Sequence, residues 1–222
     1  MAVSSSPVCL DSVVIPLVQG PKVLDVGCGF GRWGYLCTTN YWETHGAEPG
    51  RIPEIVGIDG FLPNLRMIKN NGCYTQVVHT LVPPLPFKPD TFDTVIMVEL
   101  IEHLEERMAA DLIAEAKRVA RRRVILSTPN FPAFRPGHDT MTGFNALEAH
   151  VSYWSRKQLK QLGFSLYGAG WSPNFRYWPG IIRRLRMLGL YDGRMKIGLN
   201  SLGFWFPLFA ENVVGVWNKI ES

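Results

Sequence analysis

The sequence has few cysteines and no long uncharged apolar run. Its four cysteines lie far apart and form no C-x-x-C pair: Cys9, Cys28, Cys37 and Cys73. That spacing argues against a zinc site and a disulfide framework, so we expect no metal and a reducing compartment such as the cytoplasm. No apolar stretch approaches the about 18 residues that span a bilayer. The first residues lack the basic segment and apolar run of a signal peptide, so we expect none.

The net charge of the chain is also small, but the charged residues are unevenly distributed along it. The chain of 222 residues has a formal net charge of +4. Residues 1–150 carry 13 Lys and Arg against 16 Asp and Glu, whereas residues 151–222 carry 10 against 3. A basic last third could attract an anionic substrate, a membrane surface or RNA. A solvated basic surface without such a partner explains the same composition.

Short apolar strands alternate with helical segments up to residue 130. This alternation predicts a doubly wound α/β fold, with a parallel sheet covered by helices on both faces. The carboxyl ends of the strands then lie along one edge, where a ligand binds. The predicted strands are Val23–Val26, Glu54–Asp59, Tyr74–Val78, Phe92–Val98 and Val124–Ser127, and the predicted helices are residues 8–18, Phe30–Asn40, Leu62–Asn70 and Glu105–Ala120.

The pattern loosens after residue 130. Residues 130–150 resemble a loop, and Ser155–Leu162 is predicted to be a helix that Ser155 caps and Gly163 ends. Strands are predicted at Phe164–Gly170 and Asn212–Lys219. The expected single domain over residues 1–222 has five parts: a leading helix (1–20), a ligand-binding core (21–130), a substrate-side segment (131–170), an aromatic and basic insertion (171–211) and a final strand (212–219).

The stretch VLDVGCGFGRWG has the glycine spacing of a nucleotide-binding loop. It is not a phosphate-binding P-loop, because no Lys-Ser or Lys-Thr follows the glycines. A dinucleotide fingerprint would place glycine where Arg32 stands. The carboxylate of Asp25 would repel a pyrophosphate, and it suits a ligand with an ammonium group. The small glycines let the backbone approach that ligand closely.

The next predicted strand ends in Asp59, which can accept hydrogen bonds from both hydroxyls of a ribose. A nucleoside with a cationic tail and no phosphates is S-adenosylmethionine. The alternative is a tight turn followed, one strand later, by a surface aspartate. Either element alone is weak evidence, whereas both together on consecutive strands favour a cofactor site.

On these residues the sequence resembles the class I S-adenosylmethionine-dependent methyltransferases. The resemblance covers residues 20–170, and Asn212–Lys219 resembles the family's last strand. It implies a Rossmann-like sheet that is mainly parallel, with an antiparallel last strand. The motifs that carry it are LDVGCGFG at Leu24–Gly31, LPF with FDTV at Leu85–Val95, ELIEHL at Glu99–Leu104, STPN at Ser127–Asn130 and HVSYWSRKQLKQLGF at His150–Phe164.

The resemblance also implies where the cofactor S-adenosyl-L-methionine is held. Asp25 would lie near its amino group, Asp59 would bind its ribose and Phe61 could lie against its adenine. Where many members have an acid that contacts the adenine amino group, this chain has Thr80 and Leu81, which leaves adenine recognition to backbone groups, Thr80 or apolar contact. The remaining cofactor residues are Gly27, Cys28, Gly29 and Gly31 in the loop, Gly60 beside the ribose, and Val98 and Glu99 on the methionine side.

The methyl group of a sulfonium is already activated, so alignment with the acceptor is the main catalytic task. His103 is the first candidate for a general base, because it follows the fourth strand at the ligand edge. A histidine that packs at the start of a helix is the alternative. His150 and His138 are weaker candidates. Glu99 and Glu102 could form an acid–base pair. We do not adopt that interpretation, because Glu102, Glu105 and Glu106 lie where the helix dipole favours an acidic first turn.

Two basic segments have competing interpretations. Lys117, Arg118 and Arg121–Arg123 are interpreted as the positively charged end of a helix rather than a nucleic-acid patch. The insertion at 171–211 could be a lid over a lipid-like, aromatic or glycan-phosphate acceptor, an anionic-membrane contact through residues 176–196, or a surface for stacking RNA bases. Ordinary core packing is the fourth possibility.

The sequence therefore predicts a methyltransferase that is located in the cytoplasm. A peripheral contact with a membrane is left open. The acceptor would be an oxygen, nitrogen or carbon of a small-molecule, lipid-like or glycan-like compound. The NPPY or DPPY box of amino-methylating enzymes is absent after the fourth strand, and so is the acidic stretch of aminopropyl transferases. A nucleic-acid methyltransferase and a non-catalytic protein that binds S-adenosylmethionine are the alternatives. The sequence predicts neither the acceptor atom nor the oligomeric state.

Overall fold

The computed structural model describes residues 6–46, 53–69, 72–171, 184, 187–189 and 202–220. The strands are β1 (Lys22–Val26), β2 (Glu54–Asp59), β3 (Gln76–His79), β4 (Phe92–Val98), β5 (Ala120–Pro129), β6 (His138–Thr140), β7 (Gly143–Asn145), β8 (Ser165–Ala169) and β9 (Asn212–Asn218). The α-helices are α1 (Asp11–Val14), α2 (Arg32–His45), α3 (Leu62–Ile68), α4 (Glu106–Val119) and α5 (Arg156–Gln161). Short 3-10 helices are formed by Val8–Leu10, Ile15–Leu17, Ile101–His103, Ala146–Glu148 and Pro207–Phe209.

Seven strands form one sheet in the order β3-β2-β1-β4-β5-β9-β8. The first five strands along the chain pair in parallel, whereas β9 runs antiparallel to both of its neighbours, β5 and β8. The expected α/β sheet with an antiparallel last strand is confirmed. The chain reverses its winding direction between β1 and β4, and doubly wound folds bind their ligands at such a point.

Buried residues of β4 show how the sheet supports a core on each face. Successive side chains of a strand point to opposite faces. Val95 and Met97 accordingly enter a core that contains Leu112 of α4, and Ile96 enters the opposite core, which contains Trp33 of α2. Helices therefore cover both faces of the sheet, as the sequence predicts.

Several predicted segments differ from the structure near their ends. Strand β3 begins at Gln76 instead of Tyr74, and α3 ends at Ile68 instead of Asn70. The leading helix is divided into Val8–Leu10, Asp11–Val14 and Ile15–Leu17. Helix α2 begins at Arg32 instead of Phe30, because Gly31 has a φ of 84° and cannot belong to a right-handed helix. The last two changes leave the positions of the neighbouring strands as predicted.

Strand β5 begins at Ala120, so the interpretation of Arg121–Arg123 as a helix end is wrong. These arginines extend the strand on the amino-terminal side of its buried apolar run, and they contact polar groups there. Arg121 Nη1 lies 2.9 Å from Oδ1 of the buried Asp93. Arg123 Nη1 donates to the carbonyl of Leu17 at 2.7 Å. The strand's amino-terminal end is therefore held by polar contacts that its sequence does not reveal.

The segment expected to be a loop contains a small hairpin. Strands β6 and β7 pair antiparallel there, and the Thr142 hydroxyl between them donates to Asn64 Oδ1 on α3 at 3.0 Å. An isolated bridge pairs Arg135 with His150, where His150 N donates to Arg135 O at 2.9 Å. The hairpin and the bridge bring residues 135–150 back over the ligand edge of the sheet.

Helix α5 begins as the sequence predicts. Ser155 forms a capping box with Gln158, and Gly163 follows the helix with a φ of 81°. Strand β8 after it spans Ser165–Ala169 within the predicted range.

Most of the insertion at 171–211 lies outside the described residues, including nearly all of 176–196. Its described part packs on the sheet: the ring of Phe204 stacks on Tyr167 of β8 at 5.3 Å between centroids. That contact agrees with core packing for this part. Within the described residues, no helix is long and apolar enough to cross a membrane.

Candidate functional site

A cavity of about 590 Å³ opens at the carboxyl ends of β1, β2, β4 and β5. Its lining includes the glycine loop after β1, Asp59 at the end of β2 and Val98 at the end of β4. We call the part near Asp59 the cofactor half and the part near His103 and His150 the acceptor half. The volume is typical of a site for small molecules.

The glycine loop is fixed against the end of β2. The backbone N–H groups of Gly27 and Cys28 both donate to the carbonyl of Ile58, at 2.8 and 3.0 Å. Gly27 has a φ of 74°, and a Cβ placed on it would lie 2.9 Å from Cδ1 of Leu100. Glycine is therefore required there both by the backbone and by the close approach of a neighbouring side chain.

Asp59 lines the cavity and also holds the glycine loop. Its Oδ2 accepts from Gly29 N at 2.9 Å, and its Oδ1 accepts from Phe61 N at 2.7 Å. Burial raises the pKa of the carboxyl, while these backbone donors act in the opposite direction. Each carboxylate oxygen has a further lone pair, so Asp59 can still accept hydrogen bonds from ribose hydroxyls.

Asp25 does not line the cavity. Its side chain is 1% exposed beneath the glycine loop, where Oδ2 accepts from the Tyr74 hydroxyl at 2.6 Å and Oδ1 has no hydrogen-bond partner among the described residues. Burial raises its pKa to about 7. Gly31 and Phe61 are likewise absent from the lining. Asp25 thus lies beneath the glycine loop, whereas Gly31 and Phe61 form backbone hydrogen bonds to Cys28 and Asp59, respectively.

The predicted adenine end is apolar. A Cβ placed on Gly60 would meet Leu81 Cδ2 at 2.7 Å and Leu147 Cδ1 at 3.1 Å. The Thr80 hydroxyl donates to the carbonyl of Leu81 at 3.1 Å. Apolar contact from Leu81 is one of the predicted possibilities, whereas Leu147 comes from the segment that the sequence marks only as a loop.

Glu99 lines the cavity at the edge of the sheet where β4 and β5 end and β9 begins. Its Oε1 accepts from the Ser127 hydroxyl at 2.6 Å and its Oε2 accepts from Asn212 Nδ2 at 2.8 Å. Burial raises its pKa to about 7, against the effect of these two donors. Glu99 therefore joins β4, β5 and β9, and its half-buried carboxyl lies beside the predicted methionine side.

The acceptor half contains two imidazoles in contact. The rings of His103 and His150 meet edge to face with their centroids 4.7 Å apart. His103 Nδ1 lies 3.1 Å from the carbonyl of Ala149, and its Nε2 lies 3.9 Å from Oε2 of Glu148. Burial lowers the pKa of both imidazoles, in the case of His150 to about 4. Both rings are therefore neutral near pH 7 and can accept a proton or bind a metal ion.

Among the described residues, Glu102, His103 and His150 form a group whose ligand atoms all lie within 4.8 Å of one another. The side chain of Glu102 is buried, and neither of its carboxylate oxygens has a hydrogen-bond partner in the described part of the chain. Burial and the nearby Glu99 raise its pKa well above the ordinary value. Glu102 lies in the first turn of the 3-10 helix Ile101–His103, and Glu106 lies in the first turn of α4. The prediction of an acidic first turn is therefore correct for both residues, but it did not reveal that Glu102 meets the two histidines.

Several lining residues have no signal in the sequence, since distant segments bring them to the cavity. Arg135 comes from the segment after β5, and Glu211 and Asn212 lie at the start of β9. His138, a weaker candidate base in the sequence, also lines the cavity. Trp33 belongs to α2. For Glu102, the ELIEHL motif is the only signal in the sequence. Its neighbour in the cluster, His150, is distant in the chain and gives no local signal for the contact.

Sequence comparison identifies the class to which this fold and cavity belong. Residues 12–166 match a family described as a methyltransferase domain. A probable S-adenosylmethionine-dependent methyltransferase from Mycolicibacterium smegmatis is 28% identical over 123 residues, which cover 54% of this chain and 43% of that protein. The match thus spans less than half of the relative's length.

Two solved structures share the fold over nearly the whole chain. A SAM-dependent methyltransferase from Archaeoglobus fulgidus is 18% identical with a TM-score of 0.53, over 94% of this chain and 90% of that one. The small RNA methyltransferase HEN1 is 19% identical with a TM-score of 0.54, over 94% of this chain and 24% of that one. Identities this low establish the fold alone.

The fold, the cavity and the family match together define a class I, Rossmann-like methyltransferase domain. The chain belongs to the methyltransferase-domain family that matches residues 12–166.

Proposed function

We propose that this chain transfers the methyl group of S-adenosylmethionine to a hydroxyl oxygen of a small polar molecule. The observation that carries the proposal is the composition of the acceptor half. Its lining presents His103, His150, Arg135 and Glu148 to a cavity of small-molecule size. Groups of this kind orient a polar acceptor and receive its proton.

The residues of the cofactor half suit a nucleoside with a cationic tail. Asp59 would bind the ribose, Leu81 and Leu147 would enclose the adenine, and the backbone of the glycine loop would approach the methionine part. When bound, the cofactor supplies an electrophilic methyl group. The chain's task is then to align the acceptor oxygen with that methyl group and to exclude water.

His103 and His150 are the residues we assign to the acceptor. Both line the cavity, and a lowered pKa keeps their rings neutral at physiological pH. Neutral imidazoles can help a hydroxyl lose its proton as its oxygen attacks the methyl group.

An RNA ribose hydroxyl is a second candidate acceptor. The fold similarity to the small RNA methyltransferase HEN1 favours testing it, as does the excess of basic residues after residue 150. The small-molecule proposal is preferred because the acceptor-half groups that carry it belong to the described cavity.

The test uses cofactor that carries a radioactive methyl group. The protein is incubated separately with the small-molecule fraction of a cell extract and with its RNA fraction. We expect transfer of label to a small molecule, and mass spectrometry then locates the added methyl group on oxygen. Label that appears only in RNA would show that the acceptor is RNA and not the small molecule that we propose. Cofactor binding without transfer to either fraction would instead indicate a non-catalytic binding protein.

A further inference from the structure

The cluster of Glu102, His103 and His150 joins two segments that are far apart in the chain. Glu102 and His103 belong to the 3-10 helix that follows β4. His150 is held opposite them by the backbone bridge to Arg135. The backbone N–H groups of Val151 and Ser152 both donate to the carbonyl of Glu102, at 2.9 and 3.1 Å. The segments that carry the three side chains are thus fixed to each other by the main chain.

Glu102 is the unusual member of this cluster. Its side chain is 2% exposed, and neither carboxylate oxygen has a hydrogen-bond partner of normal geometry among the described residues. The Thr128 hydroxyl and Arg135 lie near enough to influence it, but the described residues contain no ion pair to it. A buried carboxylate without such partners is costly. It is aimed at two imidazoles, which are the other common ligands of metal ions.

His103 is oriented as metal-ligating histidines usually are. Its Nδ1 faces the carbonyl of Ala149 at 3.1 Å, so the tautomer with the proton on Nδ1 leaves the lone pair of Nε2 available. For His150, the backbone of Ala133 lies close enough to the ring to raise its pKa. Backbone carbonyls that receive one ring N–H orient the other nitrogen toward a metal in many proteins.

We propose that Glu102, His103 and His150 bind a divalent first-row transition-metal ion in the acceptor half of the cavity. Two imidazole nitrogens and one carboxylate favour such an ion over Mg²⁺, which prefers oxygen ligands alone. Ligand atoms bound to one ion at about 2.1 Å lie about 3.0–3.4 Å apart at bond angles of about 90–110°. The present ligand atoms lie within 4.8 Å of one another, so binding an ion would bring the widest pair closer by roughly 1.5 Å through rotation of the side chains.

The role of the ion rests on the proposed function. Three protein ligands leave coordination positions open toward the cavity, where an acceptor hydroxyl can approach. Contact with a divalent ion lowers the pKa of a hydroxyl. The oxygen forms its bond to the methyl carbon, the bond from that carbon to sulfur breaks with its electron pair left on sulfur, and the hydroxyl proton passes to water. His103 and His150 would then act as ligands, and with the ion bound this role replaces the proton transfer assigned to them under the proposed function.

The first experiment measures metal binding without any acceptor. The full chain is treated with a chelator, its metal content is checked by mass spectrometry, and Mn²⁺ is titrated while the spin-resonance signal of free Mn²⁺ is recorded. We expect one Mn²⁺ per chain with a micromolar dissociation constant. The variants His103→Asn and His150→Asn should each weaken binding by about tenfold or more.

Two controls distinguish the cluster from its surroundings. His138→Asn changes a histidine of the same cavity that is outside the cluster, so it should bind Mn²⁺ like the unchanged chain. Calorimetric titration of S-adenosylhomocysteine into each variant should give an unchanged affinity, which shows that the cavity is still folded. Absence of stoichiometric Mn²⁺ binding, or equal binding by all variants, would overturn the metal proposal.

The outcomes separate this proposal from the function on which it rests. If Mn²⁺ binds to the cluster but no hydroxyl compound is methylated, the metal site stands and the proposed acceptor is wrong. If methylation of a hydroxyl proceeds fully after metal removal, and Mn²⁺ does not bind, the proposed function stands and the metal site is wrong.

Discussion

The Tyr74 hydroxyl donates a hydrogen bond of 2.6 Å to Oδ2 of Asp25 beneath the glycine loop. The same hydroxyl oxygen accepts from the backbone N–H of Gly34 at 3.1 Å. Tyr74 therefore links the end of β1 to the first turn of α2, on either side of the glycine loop. The other carboxylate oxygen of Asp25, Oδ1, is buried without a hydrogen-bond partner in the described part of the chain.

This arrangement predicts that stability without cofactor falls as the pH rises. Burial raises the pKa of Asp25 to about 7 in the folded chain, so between about pH 4 and pH 7 the folded state holds a proton that the unfolded state has lost. The amide introduced by Asp25→Asn does not titrate. Urea unfolding from pH 4 to pH 8 should show the wild type losing on the order of 2–4 kcal/mol relative to this variant.

Tyr74→Phe gives an internal check on that result. Loss of the hydroxyl removes the one hydrogen bond that lowers the pKa of Asp25, so the decline should extend to higher pH than in the wild type. Parallel pH curves for the wild type and Asp25→Asn would contradict a buried, protonated aspartate at this position.

Asp59→Ala should weaken the binding of S-adenosylmethionine by about tenfold or more, which corresponds to about 1.4 kcal/mol. The change removes both the expected ribose contact and the hydrogen bond to the glycine loop. Glu54→Ala is the matched control, because Glu54 lies at the opposite end of β2, where it pairs with Lys22 at 3.0 Å. Calorimetry on both variants checks the prediction, and equal losses would refute a specific role of Asp59.

Leu147→Ala should also weaken cofactor binding, by about fivefold, because it removes apolar contact worth about 1 kcal/mol from the predicted adenine end. Phe144→Ala on the neighbouring hairpin is the control, since Phe144 is exposed and does not line the cavity. Titration with adenosine as well as with the cofactor locates the effect. If the variant binds S-adenosylmethionine more weakly but binds adenosine with unchanged affinity, then Leu147 does not contact the adenine.

Gly27→Ala should cost more stability than Gly72→Ala. Both glycines have a φ near 74°, and either change introduces strain of about 1 kcal/mol. A new Cβ at Gly27 would also lie 2.9 Å from Leu100, whereas nothing lies within 4 Å of one at Gly72. Thermal unfolding of both variants measures the difference. The double variant Gly27→Ala with Leu100→Ala should recover the part that is due to the steric contact.

The strands that border the cofactor half of the cavity could be predicted because their signals are local. Strand β2 spans Glu54–Asp59 and β4 spans Phe92–Val98, with the predicted bounds. In each, a short apolar run is bounded by polar or turn-forming residues, so that burial and local conformation agree. The glycine spacing and Asp59 likewise lie next to these strands in the chain.

The acceptor half could not be predicted in the same way. His103 and His150 meet only because residues 135–150 fold back through the hairpin β6–β7 and the bridge at Arg135. Strands of three residues leave almost no pattern in a sequence. The start of β5 was missed for a related reason, because the polar run Arg121–Arg123 is stabilised by partners such as Asp93 that are distant in the chain.

The bridge between Arg135 and His150 closes the chain between them into a ring of main chain. That ring contributes Leu147 to the adenine end and His150 to the acceptor half, and Thr142 fastens it to α3. The expected cofactor and the expected acceptor would therefore both contact the same chain segment, residues 135–150. Kinetic constants measured for one of them are expected to depend on the concentration of the other, so initial rates should be collected over a grid of both.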